Sequence, residues 1–549
     1  MSKQIPPTQH AVQFVGVKEA IVNPAKPMYE VGPKQILVEV EACGICFSDI
    51  KLINAFDHHP RKSEVVAGLT DAELAEIPSY QPGSLPVVPG HEPVGTVVRV
   101  GEQVTDVKVG DRFLIQTDYR HLPTAASNAA FGYNFDGALQ QYVVMDERVI
   151  TDPVTGESFL IPVSDAPSAS AVALIEPWAC VQAAYHWTER QQLKAGGQLL
   201  LVVGAGRQVD GVEEVVADSA PGAVTAVGAD YPGATTAASL EELGEQKFDD
   251  IIYFGANPDV IEQLETMLPA KGILNVVLGG ERISRPTKVD VGRIHYDLIR
   301  YTGTRGNSAA DGYRRIPATP QIRPGNKVAI VGAAGPMGLM HSMLTVVSGV
   351  PDITMDAVDV DDARLARLEE VVAPAAIKHQ VPATFRNSKE QPLVPGYDYV
   401  AVMVPAPFLV AQAVEIAAPG AIVNAFAGFP IGTSVELDTD KMVGDGIYMT
   451  GTSGSRIVDM VQIKQKLEAG IIDTNVSLWA VSGIAGVSEA LSMVENRTSG
   501  GKIMVYPQLG ELGVVKLSEM AEVLPEVAAE MVDGNWTRAA EKMLLQVAR

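Results

Sequence analysis

Lys327-Val-Ala-Ile-Val-Gly332-Ala-Ala-Gly335-Pro336-Met337-Gly338 decides the fold: an apolar strand enters a glycine-rich turn, and an apolar helix leaves it across 337–347. Such a turn lets a pyrophosphate approach the backbone and rest at a helix N-terminus. Asp359, closing Ala357-Val-Asp, follows at the spacing where a carboxylate takes ribose hydroxyls. A carboxylate there favours NAD over NADP, whose 2′-phosphate would face like charge. The reading assigns Gly332, Gly335, Pro336, Met337, Gly338 and Asp359 to the dinucleotide.

Working outward, apolar runs at 355–358, Tyr397–Val402 and 420–426 alternate with helical stretches and close on Tyr448-Met-Thr-Gly-Thr452. The same order occurs once before: Leu199-Leu-Leu-Val-Val-Gly204-Ala-Gly206, then 224–227, Asp250–Phe254, 272–278 and Tyr301-Thr-Gly-Thr304. A repeat this long means two βαβ domains rather than a solenoid. Pro317, Pro320 and Pro324 supply the linker. In the first copy Val209 fills a glycine position, and Asp210, Glu213 and Glu214 put negative charge where phosphate would sit. That copy is expected to bind no dinucleotide, although Asp230 could still reach a ribose.

The 549 residues are 47% apolar and 20% charged, with 66 acidic against 42 basic side chains and a net charge of −24. So acidic a chain repels a phosphate backbone, which argues against nucleic acid. No run approaches the roughly 18 apolar residues of a membrane span. The first residues lack a signal peptide's basic start and apolar core. Three cysteines make no disulfide scaffold and point to a reducing, cytoplasmic setting. Residues 1–190 read as short strands between Gly, Pro and Asp. At the other end Leu517, Met520, Ala521, Leu524, Val527, Ala528 and Met531 make one helical stripe, with a second helix expected from Thr537.

The chemistry begins at Ala42-Cys43-Gly44-Ile45-Cys46-x-Ser48-Asp49, followed by Gly90-His91-Glu92-x-x-Gly95, Val109-Gly110-Asp111-Arg112 and Leu174-Ile-Glu176-Pro177. Singly, a cysteine reads as a small buried hydrophobe. A redox role for the Cys43/Cys46 pair needs a βαβ context, and the surroundings are β-rich. Taken together, the segments resemble the zinc-dependent medium-chain alcohol and polyol dehydrogenases. The nearest branch holds L-sorbose 1-phosphate reductase and the threonine and sorbitol dehydrogenases, which share Gly132-Tyr-x-Phe135, Glu176-Pro177 and a helical tail. The resemblance covers 30–180 and 325–507, and 195–306 in part.

The resemblance implies an α/β chain with a GroES-like, β-rich zinc catalytic domain at 1–190, completed by 471–507. It adds a first, degenerate Rossmann-like domain at 191–316, a second, NAD-binding one at 325–470, both doubly wound parallel sheets, and a helical tail at 508–549. It implies Cys46 and His91 as zinc ligands, with the third place taken by Glu176 or by Glu92, a carboxylate that can exchange at the metal. A thiolate, an imidazole and a carboxylate leave one zinc position open for substrate. Asp49 would orient His91, and Ser48 would pass the alcohol proton outward. Lys51 stands where some relatives continue that relay with histidine. The family's four-cysteine structural zinc is excluded by the cysteine-free stretch 113–140, leaving one catalytic Zn²⁺. Asp57-His58-His59 reads as a solvated loop rather than as the lining of a pocket mouth. The implied activity is NAD-dependent oxidation of a secondary alcohol in a polyol, sugar or sugar derivative. Alternatives are a zinc and NAD enzyme with transient oxidation, such as a sugar epimerase or eliminating enzyme, and a non-catalytic NAD-responsive protein. The expected partners are a small-molecule substrate and further copies of the chain, as a dimer or tetramer.

Overall fold

The computed structural model describes residues 5–548. They fall into two compact units, 5–179 with 454–548, and Cys180–Ser453.

The second unit holds two six-stranded parallel sheets. In chain order the first uses Gln198–Val203, Ala223–Val227, Thr235–Ala237, Asp250–Phe254, Ile273–Val277 and Arg300–Thr304. The second uses Lys327–Val331, Thr354–Asp359, Ala383–Asn387, Tyr397–Val402, Ala417–Asn424 and Tyr448–Thr450. Both run in the spatial order third, second, first, fourth, fifth, sixth, the doubly wound Rossmann order. The central strands are apolar without alternation because helices cover both faces: Leu200 and Leu201, like Ala329 and Ile330, are fully buried. Chain order reverses between the first and fourth strands of each sheet, and each glycine turn follows a first strand, so each turn opens at that switch point.

In the first unit, Gln35–Gly44 is the hub of an eight-stranded sheet, pairing with Glu92–Val100, Tyr142–Asp146 and Lys502–Val505. The chain therefore returns to this sheet after both copies, with Val505 opposite Cys43 and Met504 opposite Gly44.

The tail corrects the single helical stripe. Pro525 cannot donate the helical hydrogen bond and clashes with the preceding turn, so the stripe breaks into Met520–Val523 and Pro525–Ala528. Thr537 caps the helix Arg538–Val547. From that helix the buried Glu541 accepts bonds from Ala169 N (2.6 Å) and Ser170 N (2.9 Å), the first turn of Ala169–Ala173, just ahead of Glu176. No described helix is long and apolar enough to cross a membrane.

Candidate metal centre and nucleotide loops

Cys46 is the N-cap of helix Phe47–Ala55, directly after the hub strand, and His91-Glu92 opens the strand paired with that hub. The register sets Gly44 opposite Glu92. A Cβ on Gly44 would lie 2.0 Å from Glu92 Oε2, so the glycine of Cys-Gly-Ile-Cys makes room for that carboxylate. One ligand atom from each of Cys46, His91 and Glu92 lies within 4.8 Å of the others. Cys43 is fully buried, and burial, then the nearby Asp49, push its thiol well above the usual range. It remains a protonated core residue.

Asp49 holds the cluster from behind. Its Oδ2 accepts from Cys46 N (2.9 Å), and its Oδ1 accepts from Gly90 N (3.3 Å) and His91 Nδ1 (3.2 Å). With Nδ1–H given to Asp49, His91 Nε2 is the nitrogen left for a metal. Glu92 Oε1 accepts from Lys502 Nζ at 2.6 Å, and that ammonium also donates to Ile45 O. Burial works against the charge on Lys502, but the Glu92 carboxylate outweighs it and raises the pKa above the ordinary lysine value. Glu92 Oε2 is buried and has no hydrogen-bond partner among the described residues. An orphaned carboxylate oxygen beside a thiol and an oriented imidazole is a donor set that fits Zn²⁺. Ser48 Oγ lies 3.6 Å from Cys46 Sγ. Glu176, buried in the first turn of Ile175–His186, stands outside the three-residue cluster but close enough for its charge to act on Lys502.

Sequence reasoning missed two residues here and misread a third. Lys502 arrives on a strand 410 residues downstream of Glu92, a pairing no local spacing reveals. Tyr133 stacks 5.6 Å from the His91 ring and 5.1 Å from His59; the Gly132-Tyr-x-Phe stretch was its only signal. His59 departs from the solvated-loop reading, whereas Asp57 and His58 are exposed. Burial, followed by the cations Arg61, Lys51 and His91, pulls the His59 pKa down to about 4, and its Nδ1 accepts from Arg61 N at 3.2 Å.

In the second copy, helix Pro336–Val346 starts at Gly335 with no side-chain cap and no acidic residue in its first turn. Its leading N–H groups are thus left for an anion. A Cβ on Gly335 would meet nothing nearer than 3.8 Å, whereas one on Gly338 would lie 2.3 Å from Gly332 O. Gly335 keeps the approach open, and Gly338 lets the helix close onto the strand. Asp359 Oδ2 accepts from Ala334 N at 3.1 Å, placing the carboxylate beside the turn.

In the first copy the equivalent helix, Val212–Asp218, starts only at Gly211 and carries Glu213 and Glu214 in its first turn. Arg207 folds across the strand ends, donating to Leu278 O (2.7 Å) and Val277 O (3.1 Å). Val202 pairs with Val227. Continuing that register puts Ala229 at the place Asp359 holds, with the exposed Asp230 one residue too far.

Residues 32–153 match the alcohol dehydrogenase GroES-like domain family. The chain is 25% identical over 371 residues to an uncharacterised protein, YggP, of Escherichia coli (strain K12), covering 59% of this chain and 79% of that one. It is 25% identical over 303 residues to mannitol-1-phosphate 5-dehydrogenase of Aliivibrio fischeri, covering 47% and 69%. Among solved structures, 2R,3R-butanediol dehydrogenase from Bacillus subtilis superposes with a TM-score of 0.53 at 15% identity, covering 91% of this chain and 100% of that one, a likeness of fold. Fold and matched family together define an oxidoreductase of the alcohol dehydrogenase type. The chain is thus similar to the medium-chain alcohol and polyol dehydrogenases, and its residues 32–153 carry their GroES-like domain.

Proposed function

We propose that the protein is a zinc-dependent dehydrogenase that moves a hydride between a secondary alcohol of a polyol, sugar or sugar derivative and NAD. The observation carrying this reading is the Cys46, His91, Glu92 cluster with its partnerless Glu92 oxygen. These three residues hold the metal, and Glu176, whose charge acts on Lys502, is the reserve carboxylate. Bound Zn²⁺ supplies Lewis acidity that eases loss of an alcohol proton near neutral pH. Asp49 keeps His91 in the ligating tautomer, and Lys502 fixes one oxygen of Glu92 so that the other faces the cluster. Ser48, beside Cys46, carries the substrate proton outward. The second copy binds the dinucleotide through Gly332, Gly335, Pro336, Met337 and Gly338, with the ribose on Asp359. The carboxylate at 359 disfavours the 2′-phosphate of NADP.

The named dehydrogenase relative supports net oxidation over the transient-oxidation and non-catalytic alternatives. The test is NAD reduction against a panel of polyols, sugars and sugar phosphates, with and without a chelator, alongside metal analysis. Expected are one zinc per chain, chelator-sensitive turnover, and a folded but inactive Cys46→Ala variant, because a catalytic metal sits in a preformed site. Two tightly held zincs, or turnover that survives both the chelator and Cys46→Ala, would overturn the reading.

A further inference from the structure

The Thr-Gly-Thr ending shared by the two copies serves neither the metal cluster nor the dinucleotide turn. Its glycines are Gly303 and Gly451. A Cβ on Gly303 would lie 2.7 Å from Val443 Cβ, in helix Thr439–Asp445 of the second copy. A Cβ on Gly451 would lie 2.9 Å from His295 Cα, in helix Val291–Tyr296 of the first. Those helices are counterparts: each stands between the fifth and last sheet strands of its own copy. The short strands just ahead of them, Thr287–Asp290 and Ser434–Leu437, pair with each other antiparallel, Val289 opposite Val435. Each copy thus offers its helix to the other's glycine and its short strand to the other's short strand. Such reciprocity is the signature of an isologous, two-fold interface.

The seam is buried and carries its own charged hydrogen-bond network. Glu189 takes Arg300 from the first copy's last strand, at 2.9 and 3.0 Å, and the Tyr448 hydroxyl from the second's, at 2.7 Å. One hydrophobic core joins Leu274, Val276 and Tyr301 to Ala421, Val423 and Met449. A continuous core of this kind marks obligate partners rather than domains that touch and part.

We propose that the first copy is the second copy's built-in partner: the two form a dimer-like interface inside one chain, and the protein works as a monomer rather than as the homo-oligomer expected from its family. The inference goes beyond the dehydrogenase reading and does not depend on it. The first copy's structural task lies on its last-strand side, away from the glycine turn, which leaves that turn free to lose its phosphate-binding form.

Sedimentation equilibrium of the full-length protein, with and without zinc and NAD, tests this. The account expects one chain's mass, 58.3 kDa, across the micromolar range; a two-chain mass or a concentration-dependent rise overturns it. Hydrogen exchange gives a second reading from a mild variant. Val443→Ala, in the second copy, is expected to speed exchange in the first copy's Arg300–Thr304 strand at least tenfold. Unchanged exchange there, with faster exchange confined to the second copy, overturns the shared interface.

Discussion

The two nucleotide folds share a strand order and differ where a dinucleotide would touch them. In the second copy an uncapped helix begins at the glycine turn, and Asp359 stands beside that turn. In the first, the helix begins later, opens with two glutamates, and lies next to a crevice crossed by Arg207. A sheet needs only its apolar strands and covering helices to persist, whereas anion binding needs free N–H groups, absent Cβ atoms and one well-placed carboxylate. The scaffold therefore can persist without such a site. The difference teaches that topology alone does not assign function within a single chain.

The sharpest way to break the comparison is to build the first copy's residue into the second. Val209 fills the glycine position there, and Asp210 beside it stands six residues after Gly204, the same count that separates Gly338 from Gly332. Gly338→Asp drives a side chain into Gly332 O and adds negative charge at the phosphate site. NADH affinity, read by fluorescence titration, should fall on the order of a thousandfold, about 4 kcal/mol. The reciprocal Asp210→Gly should leave affinity unchanged, and a large effect there would reverse the assignment. Next comes Asp359, the proposed ribose carboxylate. Asp359→Ala should raise the Michaelis constant for NAD by roughly 30- to 100-fold, the worth of a hydrogen bond to a charged group, and should narrow the preference over NADP. Asp230→Ala should change it less than about twofold.

The smallest effect separates the copies by acid. His341, on the second copy's helix Pro336–Val346, is fully buried, and burial lowers its pKa to about 3. Tyr185 OH meets its Nδ1 at 2.8 Å. Because the folded pKa lies below the unfolded one, the neutral ring's contribution is complete above about pH 6.5 and drains as pH falls toward 3. Between pH 7.5 and 5.5 the wild type should lose about 1 kcal/mol more stability than His341→Leu in denaturant titrations. Equal losses would show that His341 takes up its proton without cost.

Much of this was legible in the residues. Cys46, Asp49 and His91 stand in short motifs that the family resemblance marked, and the Gly332–Gly338 turn follows its strand directly. Lys502 was not legible, because only the register of a strand from the far end of the chain brings it to Glu92. The Thr-Gly-Thr repeat was visible as a repeat, but its cause, two helices each closing on the other copy's glycine, exists only in three dimensions. Pro525 was in plain view, yet the i, i+3, i+4 spacing runs on through it and conceals the break. Glu92 and Glu176 look alike in the sequence, and only the pairing of Gly44 with Glu92 sets them apart.

The most direct measurement is a crystal structure of the zinc-loaded protein with NADH. The account predicts one dinucleotide per chain, its pyrophosphate over Gly335–Gly338 and its adenosine ribose on Asp359, with Gly204–Gly206 empty. Dinucleotide density on Gly204–Gly206 with the second copy vacant would contradict it.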